Sequence, residues 1–229
     1  AWWLNDRGDG QAYRDGLGKG MIGFGYDPEG EMGILGARVQ PYVAKAQNAY
    51  FETYDDSPQW TDGVFFKTVK GMYHLTEKDV TDVAKYQDKT HTANLYLLER
   101  CCLYAVQAEC LAKMAKELGK PEDEAKYAAD YERMKNLVNE NMWDEEDCCY
   151  YNYHFDGGLR KVKSPDCFMP MMAGIASAEK IERLMQHMLS EKTFWGEYKM
   201  PSVSRDDPAY ADQMYWRGQI WPPLIVWTH

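Results

Sequence analysis

The chain is poor in basic residues relative to acidic ones. Its 26 Lys and Arg stand against 36 Asp and Glu, leaving a net charge of −10 and a pI near 5.0. A surface of that sign repels phosphate backbones and anionic headgroups, which argues against nucleic acid or a membrane surface as the main partner. No apolar run approaches the roughly 20 residues of a membrane span, and no secretory leader opens the sequence. The expectation is a cytoplasmic protein, with a mature secreted form left open. Cysteine is sparse and badly spaced for cross-linking: Cys101, Cys102, Cys110, Cys148, Cys149 and Cys167 include two adjacent pairs and no CxxC. That excludes a tidy disulfide framework and a zinc ribbon, and leaves mostly buried thiols in a reducing compartment. His74, His91, His154, His187 and His229 show no ligand spacing, so no metal is expected. No organic cofactor is expected either, because GLGKG at 16–20 lacks the preceding strand and following helix of a phosphate loop. Ser57 lacks the Gly-x-Ser-x-Gly frame of an acyl-transfer nucleophile. Internal repeats, low-complexity tracts and linkers are missing too, which reads as one domain over 1–229.

What is present is core and aromatic surface. Hydrophobic residues make up 45% of the chain and charged residues 27%, enough to bury a large core. Aromatics reach 14%, with 8 Trp and 17 Tyr, whose flat faces and polar tips suit stacking on sugars as well as packing. The first forty residues are rich in glycine, the mark of turns and close backbone approach in a structured loop. Within them Asn5–Gly10 has the outline of a calcium loop, but Arg7 occupies a ligand position and argues against one.

Helical spacing appears from 37 to 50 and most clearly from Thr92 to Leu118, where Leu95, Leu98, Cys102, Ala105, Ala108, Leu111, Ala115 and Leu118 return to one face. Gly119 stops that helix, and Pro121 with Glu122, Asp123 and Glu124 opens the next, running to about Asn141. The two form an antiparallel hairpin. DEEDCCYYNYHFDGG reads as a small hairpin or extended excursion. Ser177 caps a helix over 178–189 carrying Ile181, Leu184, Met185 and Met188 inward, and a last helix starts near Ala209. Helical hairpins separated by long loops, with almost no strand pattern, predict an all-α architecture whose function lives in its loops.

Three loops share one chemistry. FETYDDSPQW, 51–60, sets Asp55 and Asp56 beside Tyr54 and Trp60; FWGEYKMPSVSRDDPAY, 194–210, and YWRGQIWPP, 215–223, combine Arg, Asp, Trp and Tyr. A solvated turn explains the acids and Pro58 but not the flanking aromatics. Glycoside hydrolysis explains all of them, since it needs a protonated carboxyl at the leaving oxygen, a second carboxylate, and polar and aromatic groups to hold the sugar.

These segments, with AGIAS at 173–177, resemble glycoside hydrolase family 63 and its trehalase-like relatives, nearest to the bacterial enzymes acting on glucosides and on mannosyl- or glucosyl-glycerate. The resemblance runs in order from Gly25 to Pro223. It implies an (α/α)6 barrel, six helical hairpins around a pocket, and inverting hydrolysis of an α-glycosidic bond in a small α-glucoside or α-mannoside. It implies Asp55 as the catalytic acid, the matching aspartate of a motif completed here by Asp56, Ser57 and Pro58, with Thr53 where the family has glycine. An acid working near neutral pH must hold its proton well above a carboxyl's free pKa of about 4, and burial by Tyr54 and Trp60 with repulsion from Asp56 pushes that way. Gln59 and Asp56 either position Asp55 or touch sugar. Trp216, Arg217 and Trp221 are implied to line the sugar subsite, with a structural salt bridge across the barrel as the other reading of Arg217. Trp195 and Tyr198 sit on a loop able to cover the pocket, as packing or as stacking groups. The family's general-base glutamate follows YWRGxIWPP by several dozen residues, and no match to it precedes His229. Asp206 and Asp207 do not take that role.

With Ala1 first and Trp-Thr-His last, the reading is a barrel incomplete at both ends, prone to self-association or belonging to a longer chain. The alternatives are a carbohydrate-binding or structural fragment that does not turn over, and a trehalase- or debranching-type (α/α) barrel. Against trehalase, Asp56-Ser57-Pro58 lacks the usual aromatic and Ser-Ser after the acid.

Overall fold

In the computed structural model, which describes residues 23–24, 95–154, 157–213 and 216–226, the two strongest helical patterns form the expected hairpin. The expected helix over 37–50, the glycine-rich opening with Asn5–Gly10 and GLGKG, and FETYDDSPQW with Tyr54, Asp55, Asp56, Gln59 and Trp60 lie outside the described residues. Helix α1 spans Leu98–Glu117 and α2 spans Pro121–Asn141. Between them Gly119 adopts φ +65°, a left-handed conformation that glycine takes without Cβ strain. It closes a double cap: the N–H of Gly119 donates to the Lys116 carbonyl at 3.0 Å, and that of Lys120 to the Ala115 carbonyl at 2.9 Å. Pro121 then starts α2 where its missing N–H costs nothing, with three acids in the first turn facing the helix dipole.

Helix α1 starts later than its apolar spacing suggests. Leu95–Tyr96 is instead a short strand, β2, paired with β1 (Gly23–Phe24) on one side and β5 (Asn152–His154) on the other. The Leu98 N–H, at the first helical residue, is met by Asn152 Oδ1 at 2.8 Å, so a residue of the sheet marks where the helix begins. With β6 (Leu159–Arg160) the order is β1-β2-β5-β6, all antiparallel; β3 (Trp143–Asp144) and β4 (Cys149–Tyr150) form a separate hairpin. These strands of two or three residues correct the expectation of almost no strand. β4 and β5 fall in the segment read as a small hairpin or extended excursion, and the β3–β4 pair is such a hairpin; all the strands are too short for alternation to be visible in sequence.

A 3-10 turn at Pro165–Phe168 leads into the short helix α3 (Met169–Met172), and AGIAS follows as a turn with Gly174 at φ +66°. The Tyr131 hydroxyl donates to the Gly174 carbonyl at 2.9 Å, tying that turn to α2. Helix α4, Ala178–Met188, is capped by Ser177, whose Oγ accepts the Lys180 N–H at 3.3 Å, as its sequence predicts. Leu184 and Met188 are buried, while Ile181 and Met185 are half-buried at the edge. The expected helix near Ala209 is a 3-10 turn, Pro208–Asp212, and helix α5 follows only at Pro222–Val226.

One apolar cluster joins these elements. Tyr96, Leu98, Cys101, Cys102 and Ala105 meet Met134, Val138 and Met142 of α2 and its C-terminal end, Tyr150 of β4, and Phe168, Ile175, Leu184 and Phe194. Phe168 and Phe194 meet edge to face at 5.1 Å. All six cysteines are free; four are buried, whereas Cys110 is exposed and Cys148 half-buried. The outer half of α1 departs from expectation. Leu111, Met114 and Leu118 are exposed, Leu118 by 71%, because among the described residues the core cluster gathers on the first turns of α1, Leu98 to Ala105.

Truncating Met134, fully buried in α2, to alanine should cost about 2–5 kcal/mol of stability, whereas Leu118→Ala should stay within about 0.5 kcal/mol. Urea unfolding of both variants checks the pair.

Candidate functional site

The two aromatic-polar segments nearest the C-terminal end are zipped together by their backbones. Pro201 bridges Ile220 in antiparallel fashion, and the Ser202 N–H donates to the Gln219 carbonyl at 2.9 Å. In return the Gly218 N–H donates to Ser202 Oγ at 3.0 Å. Gly218 has φ +111°, and a Cβ there would lie 2.8 Å from the Tyr210 carbonyl oxygen, so only glycine lets the segments close. Thus SVSRDD and WRGQI form one unit.

Its acids are committed to structure. Partial burial works against ionising Asp206, but hydrogen bonds from Ser204 and Lys163 outweigh it and hold the carboxyl below its usual range. Ser204 Oγ donates to its Oδ1 at 2.5 Å and Lys163 Nζ to its Oδ2 at 3.1 Å. Asp207 Oδ1 caps the 3-10 turn by accepting the Ala209 N–H at 2.8 Å. Both engagements suit structural acids rather than a water-activating base.

Trp216 and Trp221 stack face to face, with centroids 4.7 Å apart and planes 12° from parallel. Each ring therefore commits one face to the other. Arg217, between them in sequence, is buried, and its Nε donates to Asp212 Oδ2 at 2.7 Å. That ion pair spans five residues and is local to the segment. Asp212 was not singled out from sequence, where an acid five places before an arginine outside a regular helix carries no signal.

Trp195 is half-buried, and the Lys199 ammonium sits 3.7 Å from its ring centroid, a close cation–π contact. Tyr198 is exposed. The same loop borders a cleft of about 500 Å³ whose walls include Glu197, Tyr198, Arg205, Tyr210, Gln213 and Gln219. Amides, phenols and one guanidinium in a concave surface suit a hydroxyl-rich ligand. No group of three or more His, Cys, Asp or Glu side chains that could hold a metal occurs among the described residues.

A buried acid pair also escaped sequence reasoning. Glu99 in α1 and Asp166 in the 3-10 turn are both buried, and the Ser164 hydroxyl donates to Asp166 Oδ1. Burial, only partly offset by that hydrogen bond and reinforced by the charge of Glu99, pushes the Asp166 carboxyl up to about 7.

Comparison with known proteins decides the affiliation. The family model of the mannosylglycerate hydrolase MGH1-like glycoside hydrolase domain matches residues 46–228. The chain belongs to this family. Among solved structures it is similar to a GH63 mannosylglycerate hydrolase from Thermus thermophilus in complex with glucose, at TM-score 0.56 and 19% identity, covering 93% of this chain and 48% of that one. It is 29% identical over 115 residues to a probable mannosyl-oligosaccharide glucosidase of Schizosaccharomyces pombe, covering 47% of this chain and 14% of that protein. To the mannosyl-oligosaccharide glucosidase of Saccharomyces cerevisiae it is 26% identical over 129 residues, covering 51% and 15%. An uncharacterized protein of Borreliella burgdorferi is 25% identical over 154 residues, covering 67% and 31%. The resemblance to glycoside hydrolase family 63 is thus established, and with it the fold, part of an (α/α)6 helical barrel. The chain spans about a third or less of the length of these curated relatives and about half of the solved one.

Asp166 gives this member a pH signature. Between about pH 4, where an unfolded aspartate ionises, and about pH 7 the folded state keeps a proton that the unfolded state has lost. Its contribution to stability therefore falls as pH rises through that window. Asp166→Asn should flatten the slope, measured as the urea midpoint at pH 4.5 and 7.0.

Proposed function

We propose that this chain carries the sugar pocket of an inverting glycoside hydrolase that cleaves an α-glycosidic bond in a small α-glucoside or α-mannoside. The observation that carries the reading is the zipped pair of segments, in which buried Arg217, stacked Trp216 and Trp221, and the cleft beside Arg205 belong to one backbone unit. Family membership supports the reaction class. Trp216, Arg217 and Trp221 hold the glycone, with Trp195 on the neighbouring loop. Arg217 acts from the fixed position that Asp212 imposes.

Asp55 donates the proton to the leaving oxygen, and Tyr54, Asp56, Gln59 and Trp60 of the same segment are the further groups proposed to meet the substrate. A second carboxylate, about 6.5–9.5 Å away, activates water in any inverting site; Asp206 and Asp207 are otherwise engaged. The leaving group is open between sugar and glycerate, and the substrate panel below includes both. Among the described residues no helix is long and apolar enough to cross a membrane. Six free thiols support the cytoplasm as its compartment. The exposed stripe of Leu111, Met114 and Leu118 supports self-association.

The experiment is hydrolysis of a panel of α-glucosides and α-mannosides, glycerate conjugates included, by the chain and its Asp55→Asn variant, following product anomers by NMR. The expected outcome is initial release of the β-anomer and a loss of about 10²–10⁴-fold in the variant, smallest for an activated aryl leaving group that needs no proton. Release of the α-anomer, or full activity in Asp55→Asn, overturns the mechanism. Sugar binding without turnover in either protein favours the carbohydrate-binding reading.

A further inference from the structure

The loop from Phe194 to Met200 is closed at its base and filled from outside. Phe194 is fully buried and Met200 nearly so, and the Met200 N–H donates to the Phe194 carbonyl at 3.0 Å, so the two ends are pinned to the core. Between them Trp195 and Gly196 are half-buried and Glu197, Tyr198 and Lys199 are exposed. A compact surface loop of this kind is normally held by its own side chains. Here an arginine from the next segment does it. Arg205 Nη1 donates to the carbonyls of Trp195 at 2.8 Å and Thr193 at 3.2 Å, and Nη2 donates to the carbonyl of Tyr198. Its backbone N–H donates to Thr193 as well, at 3.0 Å.

Two further facts make the arrangement specific. A Cβ on Gly196 would lie 2.9 Å from Arg205 Nη2 and 3.0 Å from Cζ, so the glycine is the space the guanidinium occupies. On the other side the guanidinium lies 5.6 Å from the centroid of the Tyr210 ring, and Arg205 and Tyr210 border the cleft together with Tyr198 and Glu197. Planar, multiply donating and permanently charged, the guanidinium can satisfy three carbonyls at once, which a lysine ammonium on a flexible stem does not reproduce.

From this geometry we infer that Arg205 is a positioning residue for carbohydrate binding: it sets the conformation of the 194–200 loop as one wall of the cleft, and Gly196 is its obligate partner. The inference rests on the reading of the cleft as a sugar site. Removing the guanidinium leaves the carbonyls of Trp195 and Tyr198 to find water, while Thr193 keeps the Arg205 backbone N–H, and the loop loses the one shape in which Trp195 and Tyr198 face their present surroundings.

The test uses the full chain and three variants, Arg205→Gln, Arg205→Lys and Gly196→Ala, the last displacing the guanidinium while keeping the arginine. Amide hydrogen exchange is read over 194–200, with α2 as an internal control for folding, and glycoside affinity is read by titration calorimetry on the same panel. All three variants should exchange at least about tenfold faster in the loop at unchanged α2 protection and bind glycosides about tenfold more weakly, with no rescue by lysine. Loop exchange within about twofold of the parent in Arg205→Gln and Gly196→Ala overturns the inference. Accelerated loop exchange with unchanged affinity overturns it too, since the loop would then be no wall of the site. A parent that binds no glycoside overturns the sugar reading itself, while the exchange data alone still decide whether Arg205 shapes the loop.

Discussion

The inward face of the first turns of α1 is the surface on which the main apolar cluster of the described residues is built. Leu98, Cys101, Cys102 and Ala105 are fully buried there, and α2, the 3-10 turn at 165–168 and α3 all contact this helix. Small residues at Cys101, Cys102 and Ala105 let neighbouring backbones approach closely, which is what allows two helices, a turn and a sheet edge to converge on one stretch. The same crowding explains why Glu99 and Asp166 are buried together: once the 3-10 turn docks on α1, both carboxyls leave water. That burial, with the charge of Glu99, is what pushes the Asp166 carboxyl up.

From that base the loops 193–206 and 217–220 are held by hydrogen bonds of main chain and side chain. Ser202 ties 201–204 to 218–220, Ser204 and Asp206 tie it to Lys163, and Arg205 ties it to 193–198. Loops fixed this way can expose polar and aromatic side chains without losing their shape, because their backbone groups are tied by hydrogen bonds to neighbouring segments.

Motif and period carried different parts of this. The α1–α2 turn was legible because each signal in it is local: Gly119 for the left-handed cap, Pro121 for the first helical position, acids behind it. Ser177 was legible for the same reason. The start of α1 was not, because Leu95 and Tyr96 fit a helix face as well as a strand and only pairing with β5 decides between them. Nor was the outward turn of Leu111 and Leu118, since periodicity says which residues share a face but not how far the covering layers extend.

By itself, the sequence determined the helical hairpin, the family, the aromatic-polar character of the loops and the identity of the groups available for chemistry. These follow from local steric rules and from motif order, which need no knowledge of what lies across space. Tertiary structure decided what each polar group is free to do. Asp206 is held by Lys163 and Asp207 caps a 3-10 turn, Arg217 is paired with Asp212, and Arg205, to which its motif assigned no role, fills the loop that Gly196 opens for it. The physical reason is that a side chain's chemistry depends on its partners and its exposure, and both are set by contacts between segments that the linear order does not encode.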